Sequence, residues 1–187
     1  MKLRYNAPVT LTFTFASALV LLLTGTLLPN LTPQWFSTPS PFRSNQLGDY
    51  LRLITYIFGH ASVTHYMGNF TMILILGPIL EAAFGSGFLL LSIFITAATT
   101  GLLNVLLFPG TSLLGASGIV FMMILLASIT NFNKGEIPLT FILVMIVYLG
   151  GQVWDALAKQ DNISQFAHIA GGVAGSFIGF FRVKQKV

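Results

Sequence analysis

Ser86-Gly87-Phe88-Leu89-Leu90-Leu91-Ser92-Ile93-Phe94-Ile95-Thr96-Ala97-Ala98-Thr99-Thr100-Gly101-Leu102-Leu103-Asn104-Val105-Leu106-Leu107-Phe108 runs from end to end without a charged side chain. About 20 apolar residues in a helix cross a hydrocarbon core of roughly 30 Å, so this stretch reads as a membrane span. Outward from it, further apolar segments fall at about 8–29, 61–83, 116–131, 137–155 and 163–181, separated by short polar or Gly- and Pro-containing stretches. With 86–108 they predict an all-α polytopic protein of six transmembrane helices in one membrane domain, residues 1–187.

Composition agrees. Of 187 residues 55% are hydrophobic and 7% charged, and the mean hydropathy is +0.83, whereas soluble domains carry roughly 25% charged residues. The absence of cysteine excludes disulfides, thiolate catalysis and Cys-based metal sites. The net charge of +4 is too small and scattered for a nucleic-acid footprint. Lys2 and Arg4 precede an apolar run longer than the usual signal-peptide core of about 7 to 15 residues, so a retained first helix is expected. The long connection 30–58 follows Pro29, contains Pro33, Pro39 and Pro41, and sets Asp49 and Arg52 beside Tyr50, Leu53, Tyr56 and Phe58. Such a loop suits the membrane interface.

Six spans put both termini on one side, with Lys2, Arg4, Lys134, Arg182, Lys184 and Lys186 there and Arg43, Arg52 and Lys159 opposite. The positive-inside bias predicts a multi-pass protein of the cell (inner) membrane with both termini cytoplasmic.

Gly115-Ala116-Ser117-Gly118 stands where a loop turns into the fourth span. Small neighbours let a substrate backbone reach the Ser117 hydroxyl, and a helix N-terminus offers N–H groups to a developing oxyanion. At this chain's Gly and Ser content roughly 0.1 such matches arise by chance, and a helix-packing motif is the competing explanation. A nucleophilic Ser needs a base. His168, in an otherwise apolar span, is the candidate, with an interhelical hydrogen bond as its alternative. Gly171, Gly175 and Gly179 share its helix face and permit close approach of another helix.

His65 and Asn69, four apart, share a face of the second span, where an imidazole and an amide could complete an oxyanion hole. A zinc site built on His60 and His65 is the competitor, but Asn is a poor zinc ligand and no H-E-x-x-H acid accompanies them, so no metal is expected. Counted back from the cytoplasmic ends at about 1.5 Å per residue, Ser117, His168 and Asn69 all come out about 10–12 Å below the outer surface. A helix beginning at that depth predicts a water-filled cavity open outward. The acids at positions 49, 81, 136, 155 and 161 all lie near span ends, which leaves a Ser–His dyad rather than a triad.

From about Asp49 to Phe180 these residues resemble the rhomboid intramembrane serine proteases. Tyr50-Leu51-Arg52 looks like the family's loop motif, with Leu51 where Trp is usual and Arg52 retained. His60, His65 and Asn69 match H-x4-H-x3-N. Gly77-Pro78-Ile79-Leu80-Glu81 resembles the usual end of the second helix, Gly115 to Gly118 the nucleophile motif, and Ala167-His168 with Gly171 and Gly175 the base helix. The resemblance, to the minimal six-helix bacterial-type form, implies Ser117 as nucleophile and His168 as general base, then acid. His65, Asn69 and the Ser117 N–H would stabilise the oxyanion, with His60, Gly115, Gly118, Phe121, Gly171, Gly175 and Arg52 supporting the site. Phe121 stands where some members carry a Tyr beneath the histidine. It further implies no metal or organic cofactor, transmembrane protein substrates cut near the outer face within the lipid bilayer, and residues 137–158, with Gly150-Gly151, as a moving wall. Two other readings stay open: a catalytically silent rhomboid-like protein that binds membrane clients, and a small transporter with polar groups along its path.

Overall fold

The computed structural model describes residues 3–128 and, beyond them, Leu139, Ile142, Leu143, Ile146, residues 169–174 and Phe177. The elements are α1 (Pro8–Thr26), α2 (Leu31–Trp35), α3 (Leu47–Thr55) running into a 3-10 turn (Tyr56–Phe58), α4 (Val63–Phe84), α5 (Ser86–Leu107) and α6 (Ser117–Ser128). No strand occurs among the described residues.

Local chemistry sets the boundaries. Pro8 opens α1, where its missing N–H costs nothing. Ser62 caps α4 by accepting the His65 N–H at 3.1 Å. Gly85, at φ +88°, turns the chain so that α5 starts directly after α4. The helices α1, α4 and α5 are each long and apolar enough to cross a membrane. They match the expected spans at 8–29, 61–83 and 86–108 to within a few residues. The shorter α6 begins at Ser117, close to the expected start at 116. The expected fifth and sixth spans, 137–155 and 163–181, lie mostly outside the described residues, although those described within them are helical.

The core forms around α6, in which Gly118 to Met123, Leu125 and Leu126 are all buried. A helix apolar on every side belongs at the centre of a bundle. It packs on α4 and α5, and α4 packs in turn on α1. Phe15, Leu19, Leu22, Ile75, Ile79, Leu90, Phe94 and Leu106 point outward from α1, α4 and α5. So much outward apolar surface on three spans suits contact with lipid.

Two close approaches hold the bundle. A Cβ on Gly77 would stand 2.6 Å from Thr10 Cγ2, so only glycine admits α1 at that depth. One turn on, the buried carboxylate of Glu81 accepts from the Val9 N–H (2.9 Å), the Thr10 N–H (3.1 Å), the Thr10 hydroxyl (2.9 Å) and the Ser86 hydroxyl (2.7 Å). It thereby neutralises the N-terminus of α1 and ties together the ends of three helices.

The connection from 30 to 58 is folded against the bundle. Arg43 grips Asp49 through its Nε and Nη2, both at 2.9 Å, and through its backbone N–H. The Arg43 guanidinium accordingly holds the Asp49 carboxyl below the usual range, against the opposing effect of burial. From α3, Arg52 donates to the carbonyls of Ser37 (2.9 Å), Pro33 (3.0 Å) and Thr38 (3.3 Å). On α5, Gly101 lies directly beneath the Leu53 carbonyl, which lets α3 settle onto that helix.

Candidate active site

Ser117 is the first residue of α6, half-buried between buried Ala116 and Gly118. The Val120 N–H returns to the Ala116 carbonyl at 3.0 Å and closes the first turn beneath the serine. Such a helix N-terminus favours negative charge. The preceding Gly115 adopts φ +109°, and its N–H donates to the Tyr56 carbonyl at 3.1 Å.

His65 and Asn69 lie on this loop. A Cβ built on Gly115 would stand 2.8 Å from His65 Cε1, 2.9 Å from His65 Nε2 and 3.6 Å from Asn69 Nδ2. The cap at Ser62 fixes where α4 begins, and the four-residue spacing then sets both side chains on the face turned to Gly115. Behind them sits His60. Its Nδ1 is 3.3 Å from the Phe58 carbonyl, which can only accept, so Nδ1 carries the proton. That leaves Nε2 as an acceptor for the Asn69 amide at 3.1 Å. The His60 ring is packed edge-on by His65, Tyr66 and Phe70. Burial, reinforced by His65 and partly offset by the Phe58 carbonyl, pushes His60 down to about 4. A neutral His60 thus orients the Asn69 amide.

The other wall comes from residues 169–174. A Cβ on Gly171 would meet Thr100 Oγ1 at 2.7 Å and the Gly118 Cα at 3.5 Å, and one on Gly172 would run into the Phe121 ring. The segment therefore rests directly on the start of α6, as glycines on that face allow. His168 and Gly175 lie outside the described residues. Arg52 acts on the loop 33–38, through the carbonyls of Pro33, Ser37 and Thr38.

Several residues at the site were missed in the sequence. Ser92, Thr96, Thr100 and Asn104 recur every fourth position on α5 and are all buried. Polar residues at helical spacing in an apolar run were the available signal. Ser92 donates back to the Phe88 carbonyl, and Asn104 donates to the Thr38 hydroxyl and the Thr111 carbonyl.

The Rhomboid domain family matches residues 47–185, a stretch that contains α3 to α6 and the segment at Gly171. The chain is 33% identical over 144 residues to Rhomboid-related protein 1 of Caenorhabditis elegans, covering 71% of this chain and 40% of that protein. It is 34% identical over 143 residues to Rhomboid-related protein 2 of Mus musculus, covering 69% and 47%. To RHOMBOID-like protein 1 of Arabidopsis thaliana it is 30% identical over 136 residues, covering 69% and 33%. This chain spans less than half the length of each of these curated relatives. The domain match takes in the loop at Gly115, the His65–Asn69 face and the glycine contact with Gly118, and by it the chain belongs to the rhomboid family.

Proposed function

We propose that this protein is an intramembrane serine endopeptidase of six transmembrane helices, set in the cell membrane with both termini cytoplasmic. It cuts transmembrane segments of other proteins near the outer face and needs no cofactor. Ser117 Oγ attacks the scissile carbonyl while His168 takes its proton. The tetrahedral oxyanion accepts hydrogen bonds from the His65 imidazole, the Asn69 amide and the Ser117 N–H. His168 then protonates the leaving amine, and water, deprotonated by the same histidine, releases the acyl group.

The observation that carries this reading is the position of His65 and Asn69 over Gly115, two residues before Ser117. Donors fixed against the loop of a nucleophile can serve charge that develops only in the transition state. A two-member arrangement is supported by the described acids, since Asp49 is taken by Arg43 and Glu81 by Val9, Thr10 and Ser86.

The test uses purified protein in detergent with a membrane-segment reporter. Wild type is expected to cleave and Ser117→Ala to be inert; equal cleavage by both overturns the reading. A serine-directed phosphonate should label wild type at Ser117 alone. A wild type that neither labels nor cleaves would point instead to the client-binding alternative, whereas labelling without cleavage of the reporter marks an activated serine that requires another substrate.

A further inference from the structure

We infer that Thr38, in the connection between α2 and α3, is a positioning residue for the loop that delivers Ser117. The inference builds on the protease reading and adds a part to its machinery. Thr38 is fully buried, and its hydroxyl oxygen accepts twice: from the Leu113 N–H at 2.7 Å and from Asn104 Nδ2 at 3.0 Å. Two acceptances fill both lone pairs of a hydroxyl. The Asn104 amide cannot be turned over, because its Nδ2 also donates to the Thr111 carbonyl at 3.1 Å and a carbonyl only accepts. The Thr38 N–H in turn donates to the Leu113 carbonyl at 2.8 Å. Leu113 is thus held through both of its backbone polar groups.

These bonds close a ring. The Thr38 carbonyl accepts from Arg52 at 3.3 Å, Arg52 belongs to α3, and α3 runs into Tyr56, whose carbonyl holds the Gly115 N–H at 3.1 Å. Leu113 and Gly115 are therefore pinned from two ends of one rigid body, with only Leu114 between them. Farther out, the Ser40 hydroxyl donates to the Pro109 carbonyl at 3.1 Å, extending the same seam. Gly115 faces His65 and Asn69, so the pins fix the distance between the serine loop and those donors. Removing the Thr38 hydroxyl leaves two buried donors unpaired, and the loop would relax to satisfy them.

The test compares wild type with Thr38→Val, which keeps the shape and loses the hydroxyl, and Thr38→Ser, which keeps the hydroxyl. Three quantities are read in one detergent: the melting temperature, the second-order rate of phosphonate labelling at Ser117, and kcat and KM on the membrane-segment reporter. Thr38→Val should slow labelling about tenfold or more and lower kcat with KM held, since small misplacements of a reacting group are expensive in rate. Thr38→Ser should stay close to wild type. A valine variant that labels and cleaves like wild type overturns the inference. So does one whose loss vanishes when all variants are assayed equally far below their melting temperatures, since that is a purely structural effect. If Thr38→Val does not fold, Asn104→Leu removes one leg of the same clamp and is read in the same way. A wild type that neither labels nor cleaves sinks the protease reading alone. Amide exchange at Leu113 and Gly115, faster in the valine than in the serine variant, then decides the clamp independently.

Discussion

The His65 imidazole rests on the Cα of Gly115, where an added Cβ would stand 2.8 Å from Cε1 and 2.9 Å from Nε2. Two penalties therefore fall on Gly115→Ala. The backbone at φ +109° disfavours any side chain, by about 1–3 kcal/mol. The methyl group also displaces a ring that can yield only by leaving the serine loop. Cleavage should fall by about a hundredfold or more, beyond what the drop in melting temperature explains. Parallel measurement of kcat/KM and thermal unfolding checks this, and cleavage at the wild-type rate would remove His65 from the site.

Gly172 and Phe121 are a matched pair. A Cβ on Gly172 runs into the Phe121 ring, which is itself fully buried. Gly172→Ala should destabilise by about 1–3 kcal/mol, the usual range for overpacking. Phe121→Ala opens the space that the new methyl needs, so the two changes should be less than additive. A double-mutant cycle of unfolding free energies is expected to give a coupling of about 1 kcal/mol or more, and additive effects would mean that the contact is slack.

The apolar runs made α1, α4 and α5 legible because a bilayer demands length and apolarity, and both are written locally. Motif spacing likewise put His65 and Asn69 on one face, since helix periodicity brings residues four apart to the same side, while Ser117 was brought to their level only by the depth count and the family resemblance. The clamp through Thr38, Asn104 and Leu113 was not legible. Its partners lie 66 and 75 positions apart, and neither helical period nor turn chemistry links residues so distant. The polar stripe from Ser92 to Asn104 could have been seen, yet its regular spacing does not name its partners. His60 was expected to support the site, but its role in holding the Asn69 amide needed the Phe58 carbonyl, whose position follows from the fold of the turn.

Glu81 separates stability from chemistry. Its carboxylate accepts four hydrogen bonds, two of them from the backbone at the start of α1. Glu81→Gln preserves the shape but turns an amide N–H₂ towards those donors. The loss should be about 2 kcal/mol or more, as for other buried charge-assisted bonds. Asn69 lies twelve residues earlier on α4, or about 18 Å along the helix. Labelling of Ser117 at low temperature should therefore stay near wild type while thermal unfolding shifts downward. A variant that kept its melting temperature but lost labelling would contradict this division.

His60 should impose a pH dependence of definite sign. In the folded protein it titrates at about 4, whereas an unfolded histidine titrates near 6.5. Between those values the unfolded chain binds more protons, so stability rises with pH and is lost progressively as pH falls from about 6.5 towards 4. Protonation also places a second N–H on Nε2, facing the donor amide of Asn69 instead of accepting from it. The melting temperature should therefore decline across that window, whereas the His60 contribution to the labelling rate should be lost only as pH approaches 4. His60→Gln presents an amide oxygen that can still accept from Asn69 and that does not titrate. Its melting curve should be flatter between pH 6.5 and 4 than that of wild type. Because the neighbouring His65 is retained in both proteins, the difference between the two slopes reports His60 together with its coupling to His65; identical slopes would show that the acid sensitivity comes from elsewhere.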